Sequence, residues 1–163
     1  MHLKEEIIIN APPESVWPYV ASPTQIQEWN PKLTKVEKIS MGQEGLGSRY
    51  ELVYEMGKKK HQLNTEVIVF EKPIHFKMVY QEPYLKNPTW FGRRIYEEYT
   101  LTRDGNRTRL IQLITIENSG VPLWLQGLIW FVHSFGKPTG TRYLQTLKNI
   151  VESGGSDDTK SKV

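Results

Sequence analysis

Hydrophobic and polar residues alternate with a period of two through most of the chain from Leu33 to Glu117. This period is typical of β-strands that bury one face and expose the other. Turn-forming glycine, proline and lysine clusters divide the segment into six strands, and the apolar run near the N-terminus adds a seventh. The predicted strands span residues 3–9, 33–40, 47–56, 61–70, 74–80, 94–103 and 106–117.

Helical signals lie on both sides of the β-rich segment. Pro13 suits the first turn of a short helix, and Ser22 followed by Pro23 suits the N-cap and first residue of a second one. Residues 122–152 return to helical spacing, with a kink or break expected at Gly136-Lys137-Pro138. The predicted order is therefore one strand, two short helices, a six-strand meander and a long C-terminal helix.

The strongest turn signal is Asp104-Gly105, which predicts a two-residue type I′ hairpin loop. That loop places Glu97 directly opposite Gln112 and Ile95 opposite Ile114 on the inward face. The alternation predicts these further inward residues: Tyr50, Leu52, Tyr54, Leu63, Thr65, Val67, Val69, Ile74, Phe76, Met78 and Tyr80.

Several segments resemble the START-like (SRPBCC) superfamily, and in particular its polyketide cyclase/dehydrase and lipid-transport family. The resemblance covers about residues 3–152. It rests on Ile7-Ile8-Ile9-Asn10-Ala11-Pro12-Pro13-Glu14-Ser15-Val16-Trp17, Trp29-Asn30-Pro31, Gly45-Leu46-Gly47-Ser48-Arg49-Tyr50, Asp104-Gly105-Asn106-Arg107-Thr108-Arg109 and Tyr143-Leu144-Gln145-Thr146-Leu147-Lys148-Asn149. The resemblance implies a deep apolar cavity and carriage or modification of hydrophobic small molecules. It implies no single chemistry, because this fold hosts several functions.

The order of elements and the resemblance predict an α+β helix-grip fold. In it, a seven-stranded antiparallel sheet wraps around the long C-terminal helix, with two short helices after the first strand. We expect residues 1–152 to form one START-like domain, and the polar residues 153–163 to form a disordered tail.

One helix covers a seven-stranded twisted sheet incompletely, so we expect a ligand cavity on the concave side. The predicted lining consists of Trp29, Tyr50, Tyr54, Phe76, Tyr80, Trp90, Glu97, Tyr99, Gln112, Trp124, Leu128 and Phe131. The alternative for these residues is ordinary core packing. The connection 81–93 contains Trp90 and either closes over the cavity mouth or covers the end of the sheet.

A carboxylate on an apolar face is costly unless it has partners, so Glu97 and Gln112 are candidates to orient the polar end of a ligand, with Glu97 as a candidate general acid or base. The alternatives are a pair with Gln112 that bonds to itself or to water, or a position at the open rim of the sheet. No catalytic residue is assigned beyond this candidate.

Composition narrows the function classes. The chain has no cysteine, and its four histidines show no metal-ligand spacing, so we expect neither a metal site nor a built-in cofactor. A net charge of +3, scattered along 163 residues, does not favour nucleic-acid binding.

We find no signal peptide and no apolar run long enough to span a bilayer, and take the cytoplasm as the default location. The oligomeric state stays open.

The sequence thus predicts a protein that binds or carries a hydrophobic, lipid- or polyketide-like small molecule in an internal cavity. Two alternatives stay open. One is a polyketide cyclase- or aromatase-type enzyme that uses Glu97 or a tyrosine to move protons. The other is a chaperone- or stress-related protein-interaction module with an exposed apolar patch near Trp130 or the 81–93 connection.

Overall fold

A computed structural model describes residues 2–56, 59–81, 94–117 and 143–154. The strands are β1 (His2–Ile9), β2 (Leu33–Lys38), β3 (Arg49–Met56), β4 (Lys59–Glu71), β5 (His75–Gln81), β6 (Ile95–Asp104) and β7 (Arg107–Ile116). The helices are α1 (Pro13–Val20), α2 (Pro23–Trp29) and α3 (Tyr143–Gly154). The predicted helix-grip architecture is confirmed, with two short helices after β1 and a helix at the C-terminus.

The seven strands form one antiparallel sheet in the order β1-β7-β6-β5-β4-β3-β2. Strands β2 to β7 pair as a meander, and β1 pairs with β7 at the far edge. α1 begins with Pro13, as predicted, because a helix needs no amide donor in its first turn. The predicted start of α2 is also confirmed: the hydroxyl of Ser22 accepts a hydrogen bond of 3.2 Å from the amide of Thr24.

The described helices cover the end of the sheet near the β6–β7 turn. The hydroxyl of Thr108 on β7 donates to the carbonyl of Ala11, just before α1, over 2.7 Å. The Nζ atom of Lys148 on α3 donates to the carbonyl of Ile8 on β1 over 2.7 Å. Glu152 on the same helix accepts from the amide of Asn10. The helices therefore close the core at this end of the sheet.

The predicted register of the β6–β7 hairpin is wrong by two residues. The loop is Gly105 and Asn106, so that Asp104 pairs with Arg107, and Glu97 pairs with Ile114 instead of Gln112. A shift of two leaves each side chain on its original face, which is why alternation alone does not detect it. The loop begins at Gly105, one residue later than predicted. The backbone of Gly105 is left-handed, with a φ of +61°.

Two predicted inward positions are also wrong. A bulge between Val67 and Val69 inserts an extra residue into β4, so that Val69 pairs with Lys77 of the outer face. After the bulge, Phe70 takes the inward position and pairs with Phe76. Ile74 lies in the turn before β5 and is 55% exposed, since the strand begins one residue later than the pattern indicates.

Several of the predicted segments lie outside the residues that the structure describes. These segments are the connection from residue 82 to 93, the helix from 122 to 142 with its break at 136–138, and the tail from 155 to 163. α3 continues to Gly154, two residues beyond the predicted end of the domain at 152.

Candidate functional site

Much of the inward face of the sheet is filled by aromatic rings that pack against α1 and α2. Trp17 of α1 meets Phe70 edge-on with ring centroids 5.4 Å apart, and Phe70 meets Phe76 at 6.3 Å. Phe76 lies 6.4 Å from Tyr99, which in turn meets Trp29 of α2 at 6.2 Å. Three of these pairs meet edge-to-face, which is favourable aromatic geometry, and the rings of Phe76 and Tyr99 are tilted by 33°. These five rings form a continuous part of the core.

A buried carboxylate lies on the inward face: Glu97, in the middle of β6, is only 4% exposed. One carboxylate oxygen, Oε1, accepts hydrogen bonds from the hydroxyl of Tyr99 and from Nε2 of Gln112, the latter at 2.5 Å. The other oxygen, Oε2, accepts from the hydroxyl of Tyr80. Three neutral donors therefore hold the buried carboxyl group, in the pattern expected for an ionised acceptor.

A second tyrosine extends this network away from Glu97. The hydroxyls of Tyr54 and Tyr80 lie 3.3 Å apart. Because Tyr80 has a single proton and donates it to Glu97, Tyr54 is the donor in this pair. The phenolic protons of Tyr54 and Tyr80 thus both point towards the carboxylate.

Burial and the Glu97 charge keep these phenols protonated. Burial raises the pKa of Tyr54, and the negative charge of Glu97 raises it further. The pKa values of Tyr80 and Tyr99 are raised well above the usual range by burial and then by Glu97. All three hydroxyls remain available as donors at neutral pH.

The Glu97 cluster (Tyr54, Tyr80, Glu97, Tyr99 and Gln112) lies where the fully buried core ends. Towards the β6–β7 turn, Leu101 and Leu110 are buried at 2% and 0% exposure. In the other direction along the same strands, Ile95 and Ile114 of the inward face are only half-buried. The cluster thus lies between the fully buried core and a half-buried part of the inward face.

The structure brings together only some of the predicted lining residues. Tyr54, Tyr80, Glu97, Tyr99 and Gln112 share one network, as the inward alternation required. Trp29 and Phe76 pack within the aromatic core. Trp90, Trp124, Leu128 and Phe131 lie outside the described residues, as does Trp130.

Tyr50 is also fully buried, but its hydroxyl is bonded outside the Glu97 cluster. Its hydroxyl donates to the carboxylate of Glu44 over 3.2 Å, and the hydroxyl of Ser22 donates to the same oxygen over 2.8 Å. Burial raises the pKa of Tyr50, and Glu44 adds to the effect. Sequence reasoning missed Glu44, because the segment 42–47 indicates only a turn cluster and a loop has no periodicity that reveals its contacts.

The described part of the chain contains no group of three or more acidic, histidine or cysteine side chains placed to hold a metal ion. In the same residues, no helix has the length and apolar character needed to cross a membrane.

The fold agrees with comparisons to known proteins. The family described as polyketide cyclase / dehydrase and lipid transport matches residues 1–151, and the chain belongs to this family. The family assignment predicted from the sequence motifs is therefore confirmed. A search of curated proteins gives no match.

Solved structures with the same fold include both proteins without a stated activity and an enzyme. A START superfamily protein from Mycobacterium smegmatis is 14% identical with a TM-score of 0.66, covering 93% of this chain and 97% of that one. A protein from Thermus thermophilus is 18% identical with a TM-score of 0.67, covering 94% and 99%. A Thalictrum flavum norcoclaurine synthase mutant, solved with a transition-state analogue, is 12% identical with a TM-score of 0.60, covering 95% and 96%. At these identities the similarity shows a shared fold.

Proposed function

We propose that this protein binds or carries a hydrophobic small molecule on the concave face of its sheet, with the polar end of the ligand at the Glu97 cluster. The observation that carries the proposal is the position of a buried carboxylate at the boundary between the closed core and the half-buried residues Ile95 and Ile114. Apolar clefts with a few convergent polar groups are the usual form of small-molecule sites.

The two kinds of residue at this boundary have different roles in the proposal. Half-buried Ile95 and Ile114 supply apolar surface, which contributes about 25 cal/mol for each Å² removed from water. The hydrogen-bonded Glu97 fixes the orientation of the ligand. Since Tyr99 also packs against Trp29, the carboxylate is held by a rigid part of the core.

Native mass spectrometry of the full chain tests this proposal. We expect a co-purified apolar compound, seen as an added mass that is lost on denaturation. Ile114 lies on the inward face, paired with Glu97, so Ile114→Trp fills the proposed ligand space and removes the added mass. Leu113→Trp, at the next position on the outer face of β7, is the matched control and keeps it.

Circular dichroism and urea unfolding establish that both variants are folded before they are compared. The proposal fails if wild-type protein carries no apolar compound and binds no apolar dye. It also fails if folded Ile114→Trp retains as much ligand as the control.

A second candidate function is catalysis of the cyclase or aromatase type, with Glu97 as the base that removes a proton from a bound carbon chain. The position of Glu97 favours this candidate, because its Oε2 accepts a single described hydrogen bond, from Tyr80, and keeps a lone pair free for a substrate proton. The norcoclaurine synthase mutant, whose structure has a similar fold, is an enzyme.

The catalytic candidate is tested with a synthetic poly-β-keto thioester as the substrate. Chromatography with mass spectrometry measures cyclised product, and Glu97→Gln is expected to lower its rate by at least about a hundredfold. An equal rate in wild type and Glu97→Gln removes the role of Glu97. No product above the uncatalysed level removes this candidate altogether.

A further inference from the structure

The carboxylate of Glu97 has an acceptor position that its described hydrogen bonds leave unused. A carboxylate offers about four lone-pair positions. Among the described residues, Oε1 accepts two bonds, from Tyr99 and Gln112, whereas Oε2 accepts one, from Tyr80. The open position is therefore on Oε2, the oxygen on the side of the Tyr80–Tyr54 pair.

The same carboxylate has no cationic partner among the described residues. On β5, the Nζ atom of Lys77 lies 2.9 Å from the carboxylate of Glu98, and the imidazole of His75 lies 2.8 Å from the same carboxylate. Glu98 follows Glu97 directly on β6, and successive side chains on a strand point to opposite faces. Lys77 and His75 therefore lie on the outer face of the sheet, while the described partners of the inward carboxylate are all neutral donors.

A buried carboxylate without a cation among its described partners favours a ligand that supplies one. Hydrogen bonds to ionised groups are about twice as strong as those between neutral groups, and the difference grows when both partners are charged and shielded from water. A ligand carboxylate or phosphate placed there would instead be repelled by Glu97.

From this geometry we infer that the ligand is an apolar molecule that ends in a protonated amine, whose N–H donates to Oε2 of Glu97. The inference rests on the proposed function and specifies its ligand class. The phenol oxygen of Tyr54, 3.3 Å from that of Tyr80, offers a second acceptor for the same ammonium group. Neutral alcohols fit the position with a weaker bond, and carboxylic acids do not fit it.

Three probes of equal size and different polar ends test the inference: 4-phenylbutylamine, 4-phenylbutanol and 4-phenylbutyrate. Isothermal titration calorimetry on the full chain at pH 7 measures their dissociation constants. We expect the amine to bind at least about tenfold more tightly than the alcohol, because a charge-assisted bond exceeds a neutral one by roughly that factor. The acid is expected to bind more weakly than the alcohol.

Glu97→Gln separates the charge from the shape of the site. This variant is expected to weaken amine binding by about tenfold or more and to change alcohol binding by less than about threefold. Glu66→Gln is the control, because it removes one negative charge from an exposed position on β4.

The possible outcomes distinguish a failure of the inferred ligand class from a failure of the proposed function. An alcohol or acid that binds wild-type protein as tightly as the amine overturns the ligand class and leaves the proposed function in place. Equal losses of amine binding in Glu97→Gln and Glu66→Gln also overturn it. The failure of all three probes to bind overturns both proposals. If Glu97→Gln does not fold, the ranking of the probes on wild-type protein still decides the question.

Discussion

The hydroxyl of Tyr99 donates to the carboxylate of Glu97, its neighbour two residues earlier on the same face of β6. The ring of Tyr99 simultaneously packs edge-on against Trp29 of α2, at 6.2 Å between centroids. One side chain therefore links the packing of the helices to the position of the buried charge. Any change that moves α2 is expected to alter the Glu97 cluster through this residue.

Tyr99→Phe separates these two contributions, because it keeps the ring and removes the hydroxyl. We expect a loss of about 1–3 kcal/mol in the free energy of unfolding, since a buried carboxylate loses one of its donors. Urea denaturation measures the loss. Tyr96→Phe, on the outer face of the same strand, should change the stability by less than about 0.5 kcal/mol. Equal losses in the two variants would show that the hydroxyl of Tyr99 contributes nothing specific.

The pKa of Glu98, on the outer face of the sheet, predicts that the stability of the protein depends on pH. Burial raises the pKa of Glu98, but hydrogen bonds from Lys77 and His75 outweigh it, so that the pKa lies below the usual 4.5. A carboxyl group whose pKa is lower in the folded state stabilises the protein above its unfolded pKa. That contribution is lost as the pH falls through the folded value.

Glu98→Gln is therefore expected to lower the free energy of unfolding by up to about 1 kcal/mol at pH 7, a value typical of a partly exposed pair. The gap between wild type and variant should close below pH 4. Urea titrations at pH 7 and pH 3 check this, with Glu66→Gln as the comparison. A gap of unchanged size at pH 3 would assign the effect of the substitution to packing.

Gly105 in the β6–β7 turn has a φ of +61°, a conformation that side chains with a Cβ rarely adopt. Gly105→Ala should lower the free energy of unfolding by about 1–2 kcal/mol. Gly45→Ala is a matched control: an added Cβ there meets no atom within 4 Å, and its backbone is not left-handed. Gly105→Asn should recover part of the loss, since asparagine tolerates this conformation. Thermal unfolding of the three variants tests the assignment of Gly105 to the loop.

Lys148 holds α3 against the edge strand β1. Its Nζ atom donates to the carbonyl of Ile8 over 2.7 Å and lies 3.3 Å from Glu152. Lys148→Met is expected to cost about 1 kcal/mol, because the carbonyl of an edge strand loses its partner. Gln145→Met, at an exposed position of the same helix, should be nearly neutral. Hydrogen exchange should show faster opening of α3 in Lys148→Met alone.

The alternation of polar and apolar residues was enough to show which residues share a face of the sheet. The two-residue period placed Tyr80, Glu97 and Tyr99 inward, and these residues do form one cluster, because strand geometry fixes the direction of every second side chain. Capping chemistry likewise determined the start of α2 at Ser22 and Pro23. These features are local, so the chain encodes them in neighbouring residues.

The contacts among the inward residues, in contrast, depend on how the strands and helices pack in three dimensions. Alternation does not distinguish registers that differ by two residues, so it paired Glu97 with Gln112, whereas Gln112 reaches Glu97 diagonally from opposite Tyr99. The bulge at Val67 likewise exchanged Val69 for Phe70 on the inward face. Register, bulges and the position of the helices over the sheet depend on packing between distant segments, and a local pattern carries no record of that packing.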